Sequence, residues 1–230
     1  MEQKKTIIEY KDCIISNKNL TLPRFTMSFE ESELVEIKSL GDEISSLFIR
    51  GISTLAPLEG KIFFNGNSYD PMDQEKILKL KRNLAYLGPL CALLSNRSLL
   101  ENILLFRLWE EDLRKINPDK NFIADCEKAG ISGFLYKRPE KTTEEIKCGA
   151  FLVREFLKNP KIVFMERPYL FTRGRLDRFL LEKLEKVSQT KVPIVYFSNS
   201  GFVPSLKVTH KIIIEKEKIE KIKVSNGSDV

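Results

Sequence analysis

At the level of fold class, the sequence predicts an α/β protein with a mainly parallel sheet and a helical insertion. Short β-branched runs alternate with segments of helical apolar spacing along most of the chain. Residues 162–165 and 194–197 are continuous apolar runs, which is typical of parallel strands buried on both faces. Between residues 99 and 158 the predicted elements are all helical, which indicates an insertion between strands of the sheet.

The first part of the chain is rich in strands. Alternating polarity predicts most of them, and Gly60 and Gly66 enclose one short apolar run. A further strand is stopped by Gly88 and Pro89. The predicted elements are strands at residues 6–15, 25–29, 34–37, 61–65 and 83–87, with a helix at residues 75–82.

The second part contains the helical block and the last strands. Glu101 lies in the first turn of one predicted helix, where a carboxylate suits the helix dipole. Gly130 ends the next helix in the C-cap position. The predicted elements are helices at residues 99–113, 121–129, 144–158 and 176–187, and strands at residues 162–165, 194–197, 208–215 and 217–224.

Composition bounds the functional classes. A chain of 230 residues with 42% hydrophobic and 30% charged residues can form one large core. No apolar run reaches the ~18–20 residues of a membrane span, and the N-terminus lacks the apolar segment of a signal peptide. We therefore expect a cytoplasmic protein, peripheral on the inner face of the cell membrane. Four scattered cysteines and a single histidine, His210, give no spacing typical of a metal site, so we expect no metal.

The net charge of +6 comes from 38 basic and 32 acidic residues that are largely interspersed. The densest run, residues 215–223, alternates in sign and is typical of a solvated surface. Nucleic-acid sites usually combine clustered Lys and Arg with aromatic residues, and the sequence shows no such cluster. We expect no nucleic-acid partner.

Several short segments follow one another in a characteristic order. They are residues 29–37, Ala56-Pro57, Gly60-Lys-Ile-Phe-Phe-Asn-Gly66, Tyr86, Ser98-Leu-Leu-Glu-Asn-Ile103, Ala129-Gly-Ile131, Asn159-Pro160, residues 162–168 and residues 194–200. This order resembles the ATP-binding cassette (ABC) ATPase domain over residues 5–224. The resemblance implies a P-loop NTPase-like (RecA-like) sheet with an antiparallel β subdomain. It also implies that residues 29–37 lead into a loop and a helix at residues 45–50. It also implies a single domain over residues 1–230, with its core at about 1–94 and 150–230 and its helical insertion at about 95–149.

The phosphate loop of that family, G-x-x-G-x-G-K-[ST], corresponds to Lys38-Ser-Leu-Gly-Asp-Glu-Ile-Ser-Ser46. Its backbone N–H groups hold phosphate at a helix N-terminus, and its lysine contacts the β- and γ-phosphates. Counting back from Gly60 puts the lysine position on Ile44, whereas counting forward from residues 34–37 puts it on Ser45. Neither residue is basic.

Asp42 and Glu43 would lie where the family holds the triphosphate. At ~5 Å and an effective dielectric of ~20, each carboxylate costs a phosphate charge on the order of 3 kcal/mol. The resemblance therefore implies a degenerate phosphate loop, formed by Lys38, Gly41, Asp42, Glu43, Ile44, Ser45 and Ser46.

The other nucleotide positions of the family are altered in the same sense. The glutamine that senses the γ-phosphate corresponds to Pro89, and the metal-binding aspartate corresponds to Glu166. The general base corresponds to Arg167, which cannot accept a proton, and the switch histidine corresponds to Asn199. The adenine-stacking aromatic would lie near residues 10–15, where only Tyr10 qualifies. The signature L-S-G-G-Q corresponds to Thr142, Thr143, Glu144, Glu145 and Ile146.

These changes lead us to expect a catalytically inactive ABC ATPase-like subunit, a scaffold or regulator of a membrane ABC transport complex that uses no cofactor. Its partners would be a membrane permease or other transporter components, with a homodimer or heterodimer as options. The docking groove would be lined by Leu90, Leu93 and Leu94, together with Ile103 and Leu104.

Two alternatives stay open. One is a free-standing pseudo-ATPase that binds another protein. The other is an ABC transporter ATPase subunit that still uses Mg-ATP with non-standard residues, in which Arg167 or Lys38 supplies the phosphate-binding cation.

Overall fold

Two β-sheets form the framework of the protein. The structure is a computed structural model, and it describes residues 4–90, 92–107, 120–170, 172, 175–197 and 206–224. The smaller sheet is antiparallel, with strand order β2-β1-β4-β5. Its strands are β1 (Thr6–Ile15), β2 (Phe25–Glu30), β4 (Leu58–Phe64) and β5 (Asn67–Tyr69).

The larger sheet has six strands in the order β10-β9-β3-β8-β7-β6, and every neighbouring pair except β9 with β10 is parallel. Strands β6, β7 and β8 are buried along their whole length, as their continuous apolar sequences predict. The strands are β3 (Leu34–Ser39), β6 (Leu84–Leu87), β7 (Ile162–Glu166), β8 (Ile194–Phe197), β9 (His210–Ile214) and β10 (Ile219–Lys223).

Helices cover both faces of the larger sheet. One core lies between the two sheets and includes helix α1, while a second core joins the larger sheet to the helical segments that follow β6. Side-chain caps begin three of these helices, at Asp73, Ser98 and Thr143. The helices are α1 (Asp42–Ile52), α2 (Gln74–Lys81), α3 (Leu99–Ile103), α4 (Lys120–Lys128), α5 (Glu144–Leu157) and α6 (Arg175–Gln189).

The predicted α/β class, the mainly parallel sheet and the order of elements are confirmed. Two predicted helices have wrong limits. The helix predicted from residue 45 begins at Asp42, because two carboxylates in its first turn stabilise the positive end of the helix dipole. The helix predicted over residues 99–113 ends at Ile103, where Leu104 leaves the helical conformation and is buried. Residues 108–113 of that prediction lie outside the described residues. In the described segments, no helix combines the length and apolar character that a membrane crossing requires.

Candidate functional site

Glu166 is the centre of the candidate site, at the C-terminal end of β7. Its carboxylate is fully buried, and both of its oxygens are bonded by groups of this chain. The Arg50 guanidinium donates to Oε2 over 2.8 Å and to Oε1 over 2.6 Å, and the Tyr86 hydroxyl donates to Oε2. Arg50 comes from the last turn of α1 and Tyr86 from β6, so three elements of the core meet at one carboxylate.

The pKa shifts in this cluster favour an ion pair between the Arg50 guanidinium and the Glu166 carboxylate, with Tyr86 as a neutral donor. Burial, and then the hydrogen bond to Glu166, raise the pKa of Tyr86, which therefore stays a proton donor. The bond to Glu166 raises the pKa of Arg50. Gly88 passes so close that a Cβ atom built there would lie 2.5 Å from the Tyr86 hydroxyl oxygen and 2.9 Å from the Glu166 Cβ. Only glycine fits this position without a shift of the pair.

Arg167 lies next to this pair with a left-handed backbone, at φ 46°. Its N–H donates to the carbonyl oxygen of Phe197 over 2.9 Å. Its guanidinium lies 3.5 Å from the Glu166 carboxylate and 3.9 Å from that of Asp42. The buried Nε finds no hydrogen-bond acceptor in the part of the chain that the structure describes. The guanidinium therefore faces two carboxylates of its own chain.

The segment at the phosphate-loop position is shorter than the sequence predicted. Only Leu40 and Gly41 connect β3 to α1. The Ser39 hydroxyl donates to the Gly41 carbonyl oxygen over 2.7 Å and lies 2.7 Å from the Ser45 hydroxyl oxygen. The Ser39 side chain thus fills the inside of the turn, where a phosphate would lie in a nucleotide-binding loop.

The remaining residues of that segment make contacts within this chain or form the first turn of α1. Lys38 lies on β3 and pairs with Glu36 over 2.7 Å. Ile44 packs on the core between the sheets, and the buried Ser46 hydroxyl makes no hydrogen bond among the described residues. Asp42 and Glu43 form the first turn of α1, so the helix end that would attract an anion carries two carboxylates.

The segment at the signature position shows the same pattern at a second helix. Thr143 caps α5 by accepting a hydrogen bond from the Ile146 N–H, and Ile146 itself is buried. Glu144 and Glu145 occupy the first turn, and Glu144 pairs with Lys147 over 2.6 Å. Thr142 donates its hydroxyl to a carbonyl oxygen of the preceding turn. Two helix N-termini of this chain therefore carry a pair of carboxylates each.

The three leucines of the predicted docking surface differ in exposure. Leu90 and Leu94 are 48% and 47% exposed, while Leu93 is half-buried and packs on the second core. The inclusion of Ile103 and Leu104 in this surface is wrong, because both side chains are buried within the protein. A cavity of about 320 Å³ opens beside Leu93 and is lined by residues of α5.

The loop that carries these leucines is fixed by Asn102, which is completely buried on α3. The Leu94 N–H donates to its Oδ1 over 2.6 Å, and its Nδ2 donates to the carbonyl oxygens of Leu94 and Ser98 over 3.0 and 2.9 Å. Arg154 adds a hydrogen bond to the Ala92 carbonyl oxygen over 3.0 Å. The backbone at Ala92 and Leu94 is therefore held by side chains of α3 and α5.

Three further predicted positions have different outcomes. Tyr10 cannot stack on an adenine, because its ring is fully buried and its hydroxyl donates to the Ile52 carbonyl oxygen. Asn199, at the switch position, lies outside the described residues. Pro89 is exposed directly after the buried Gly88.

Comparison with known proteins identifies the fold of this architecture. No protein-family model and no curated protein match the chain, but solved structures do. An ATP-binding subunit of an ABC transporter superposes with a TM-score of 0.78 at 18% identity, covering 95% of this chain and 90% of that one. The chain has the fold of an ABC transporter ATP-binding cassette.

Two other cassettes agree with this assignment. The ATP-binding cassette MJ0796, a dimer bound to ADP and Pi, gives a TM-score of 0.76 at 14% identity and covers 96% of this chain and 100% of that one. CbiO1 of Clostridium perfringens, part of the ABC transporter complex cbiONQ, gives 0.66 at 14% identity, with 95% and 88% covered. The suspected resemblance is thus confirmed at the level of fold.

Sequence reasoning missed the role of Arg50, although a signal for it exists. Residues 47–52 read Leu-Phe-Ile-Arg-Gly-Ile, a helical run that is apolar apart from one charge. A lone charge in such a run needs a buried partner, because an unpaired buried charge is costly. The partner, Glu166, is 116 residues away and is brought close only by the fold.

Proposed function

We propose that this protein is a cassette-like subunit that does not hydrolyse ATP and that acts as a scaffold or regulator of a membrane ABC transport complex. The observation that carries the proposal is the Arg50–Glu166 pair. In the family this acid serves the metal ion, whereas here an arginine of the phosphate-loop helix bonds both of its oxygens.

Mg-ATP does not fit the described residues in this proposal. A magnesium ion needs free carboxylate or hydroxyl oxygens, but those of Glu166 are already bonded to cationic and hydroxyl donors. A triphosphate needs cations and free helix N-termini, but Asp42 and Glu43 repel it. The carboxylates Glu144 and Glu145 would repel a nucleotide presented by a partner cassette in the same way.

The partner surface of the proposal is the loop that contains Leu90 and Leu94. Both side chains are exposed, and the Asn102 amide holds the backbone of Leu94 in place. The neighbouring cavity of about 320 Å³ offers room for an apolar side chain of a permease segment. Pro89 restricts the backbone at the sensor position, so docking would be constitutive and not gated by nucleotide. This role places the protein on the cytoplasmic face of a membrane.

The proposal is tested by melting the protein with and without millimolar Mg-ATP. A ligand at 100 times its dissociation constant stabilises a fold by ~2.7 kcal/mol, which is several degrees for a chain of this size. We expect a shift within about one degree and no phosphate release above buffer. Phosphate release, or a rise of about four degrees that Ser45→Ala abolishes, would favour the ATP-using alternative.

A restoration experiment tests the assignment of the positions. One variant carries Glu43→Gly, Ile44→Lys, Glu166→Asp and Arg167→Glu, and a second variant adds Arg50→Leu. We expect only the second to bind Mg-ATP, because Arg50 would still occupy the restored aspartate in the first. Failure of both variants, while they stay folded, would mean that the residue correspondence is wrong.

A further inference from the structure

A cavity lined by lysines lies at the N-terminal ends of β7 and β8, whereas Glu166 lies at the C-terminal end of β7. It measures about 500 Å³, within the size range of small-molecule sites. Its walls include the residues that precede β7 and β8 and the C-terminal halves of α5 and α6. The five residues of β7 separate it from the candidate site by roughly 17 Å.

The charged residues that line this cavity are nearly all basic, whereas the chain as a whole has 38 basic and 32 acidic residues. Its only acidic lining residue is Glu31, whereas its lysines come from five positions: Lys5, Lys161, Lys183, Lys186 and Lys191. Lys183 is neutralised by Asp125. The other four amines make no hydrogen bond and no ion pair within the described segments, and the carboxylate that lies near Lys186, Glu182, is bonded to Lys128.

Helix dipoles do not account for this cluster. Cations are favoured in the last turn of a helix, which explains only Lys186 in α6. Lys5 precedes β1, Lys161 precedes β7 and Lys191 precedes β8, so these three lie outside helices. Their convergence on one concave surface requires the tertiary fold.

The backbone at Lys191 makes the cluster more specific. The Val192 N–H donates to the Val187 carbonyl oxygen and the Lys191 N–H to that of Ser188, which is the glycine-type ending of a helix. Lys191 takes the left-handed position of this motif, at φ 62°, where glycine is the unstrained residue. A cation is thus kept at a strained position that faces the cavity.

We propose that this cavity binds a phosphorylated ligand with at least two negative charges. Four unpaired lysines supply the charge, and the floor formed by Ile7, Phe156, Val187 and Val192 accepts an apolar part of the same molecule. Two sources share this chemistry, namely a soluble phosphorylated molecule and the headgroup of an anionic phospholipid. The site is separate from the phosphate-loop position and does not depend on ATP hydrolysis.

The first arm of the test uses pyrophosphate and tripolyphosphate, titrated calorimetrically into the full-length protein in the presence of EDTA. We expect binding that weakens as the NaCl concentration rises, since exposed charges are screened by salt. Lys191→Gly and Lys161→Gln should each weaken it about fivefold or more. Lys191→Gly removes a charge and also relieves the backbone, so the melting temperature should not fall. The exposed Lys18→Gln is the control for net charge.

The second arm uses sedimentation with vesicles of phosphatidylcholine that contain cardiolipin, whose headgroup carries two phosphates, or with vesicles of phosphatidylcholine alone. Binding to the anionic vesicles that Lys191→Gly removes, with none to pyrophosphate, identifies a lipid headgroup as the source. Absence of binding in both arms overturns the proposal. An effect of Lys18→Gln as large as that of Lys191→Gly also overturns it, because general charge would then explain the binding. A melting shift with ATP that Lys191→Gly removes belongs to this cavity and not to the phosphate loop.

Discussion

Replacing Arg50 by methionine tests whether the acid at the metal position has become part of the core. Methionine keeps the length and the apolar contacts of the arginine stem but removes the guanidinium. The Glu166 carboxylate would then be left fully buried, without the group that bonds both of its oxygens. The expected result is a large loss of unfolding free energy.

The size of this loss follows from the geometry. Removing one partner of a buried ion pair costs about 3–5 kcal/mol, because the remaining charge is uncompensated. The Arg50 side chain is 27% exposed, and Tyr86 and Arg167 still contact the carboxylate, so the lower end applies. We expect a loss of about 2–3 kcal/mol, a large share of the ~5–15 kcal/mol that stabilises a typical fold.

Equilibrium unfolding in urea measures the change, and a double-mutant cycle with Glu166→Gln isolates the pair. The double variant should regain most of the loss, with a coupling of at least about 1.5 kcal/mol, because the neutral amide can still bond to Tyr86. Arg178→Met is the matched control. Arg178 lies 3.7 Å from Glu182 and is 87% exposed, so its replacement should change stability by less than about 0.5 kcal/mol.

A loss below about 1 kcal/mol for Arg50→Met, equal to that of the control, would refute this reasoning. The Glu166 carboxylate would then be accessible to water or to a cation in solution. The ATP-using alternative would become the better account of the site.

Three further predictions concern the docking loop and the single histidine. Leu94→Asp should detach the protein from its membrane partner, measured by co-sedimentation with membranes of the native host, while the unfolding free energy stays within about 0.5 kcal/mol; retained binding would move the interface elsewhere. Asn102→Ala should lower the unfolding free energy by about 2–3 kcal/mol in urea, since four hydrogen bonds to the loop backbone are lost, and an unchanged midpoint would contradict this role of Asn102. Burial lowers the pKa of His210 from its ordinary 6.5, and the Glu33 carboxylate opposes this shift. The neutral, buried imidazole therefore contributes to stability above pH 6.5, and this contribution is lost as the pH falls through the lowered pKa of the folded protein. Urea unfolding at pH 7.5 and 5.5 should show a larger acid loss for the wild type than for His210→Asn, and equal losses would contradict this assignment.

Leu93 shows why the docking surface could be predicted only in part. Sequence reasoning grouped Leu90, Leu93 and Leu94 as one apolar surface, because all three follow the same sensor position. The structure turns Leu93 towards the second core and leaves the other two exposed. Periodicity does not operate in an irregular loop, so only the Asn102 hydrogen bonds decide which side chain points inwards.

The strands were easier to predict than the start of α1. Continuous apolar runs such as residues 194–197 specify a buried strand by composition alone, and β8 has these limits. The start of α1 was set at Ser45 by analogy with loops that wrap around phosphate. Because Asp42 and Glu43 lie in the first turn of α1, their carboxylates stabilise its N-terminus without a bound phosphate. The helix can therefore begin at Asp42, directly after a short connection.

In the proposed correspondence with a cassette, contacts within this chain occupy the nucleotide positions, and this decides the order in which they could be reversed. Arg50 bonds the carboxylate of Glu166, which is at the metal position, and Asp42 lies beside Arg167. Carboxylates stabilise the first turns of α1 and α5. Each replacement now contributes to folding, so restoring one family residue alone removes a stabilising contact before any nucleotide can compensate. Arg50 has to change first, because while it bonds both oxygens of Glu166, a nucleotide held by a restored lysine cannot place its metal ion on that carboxylate.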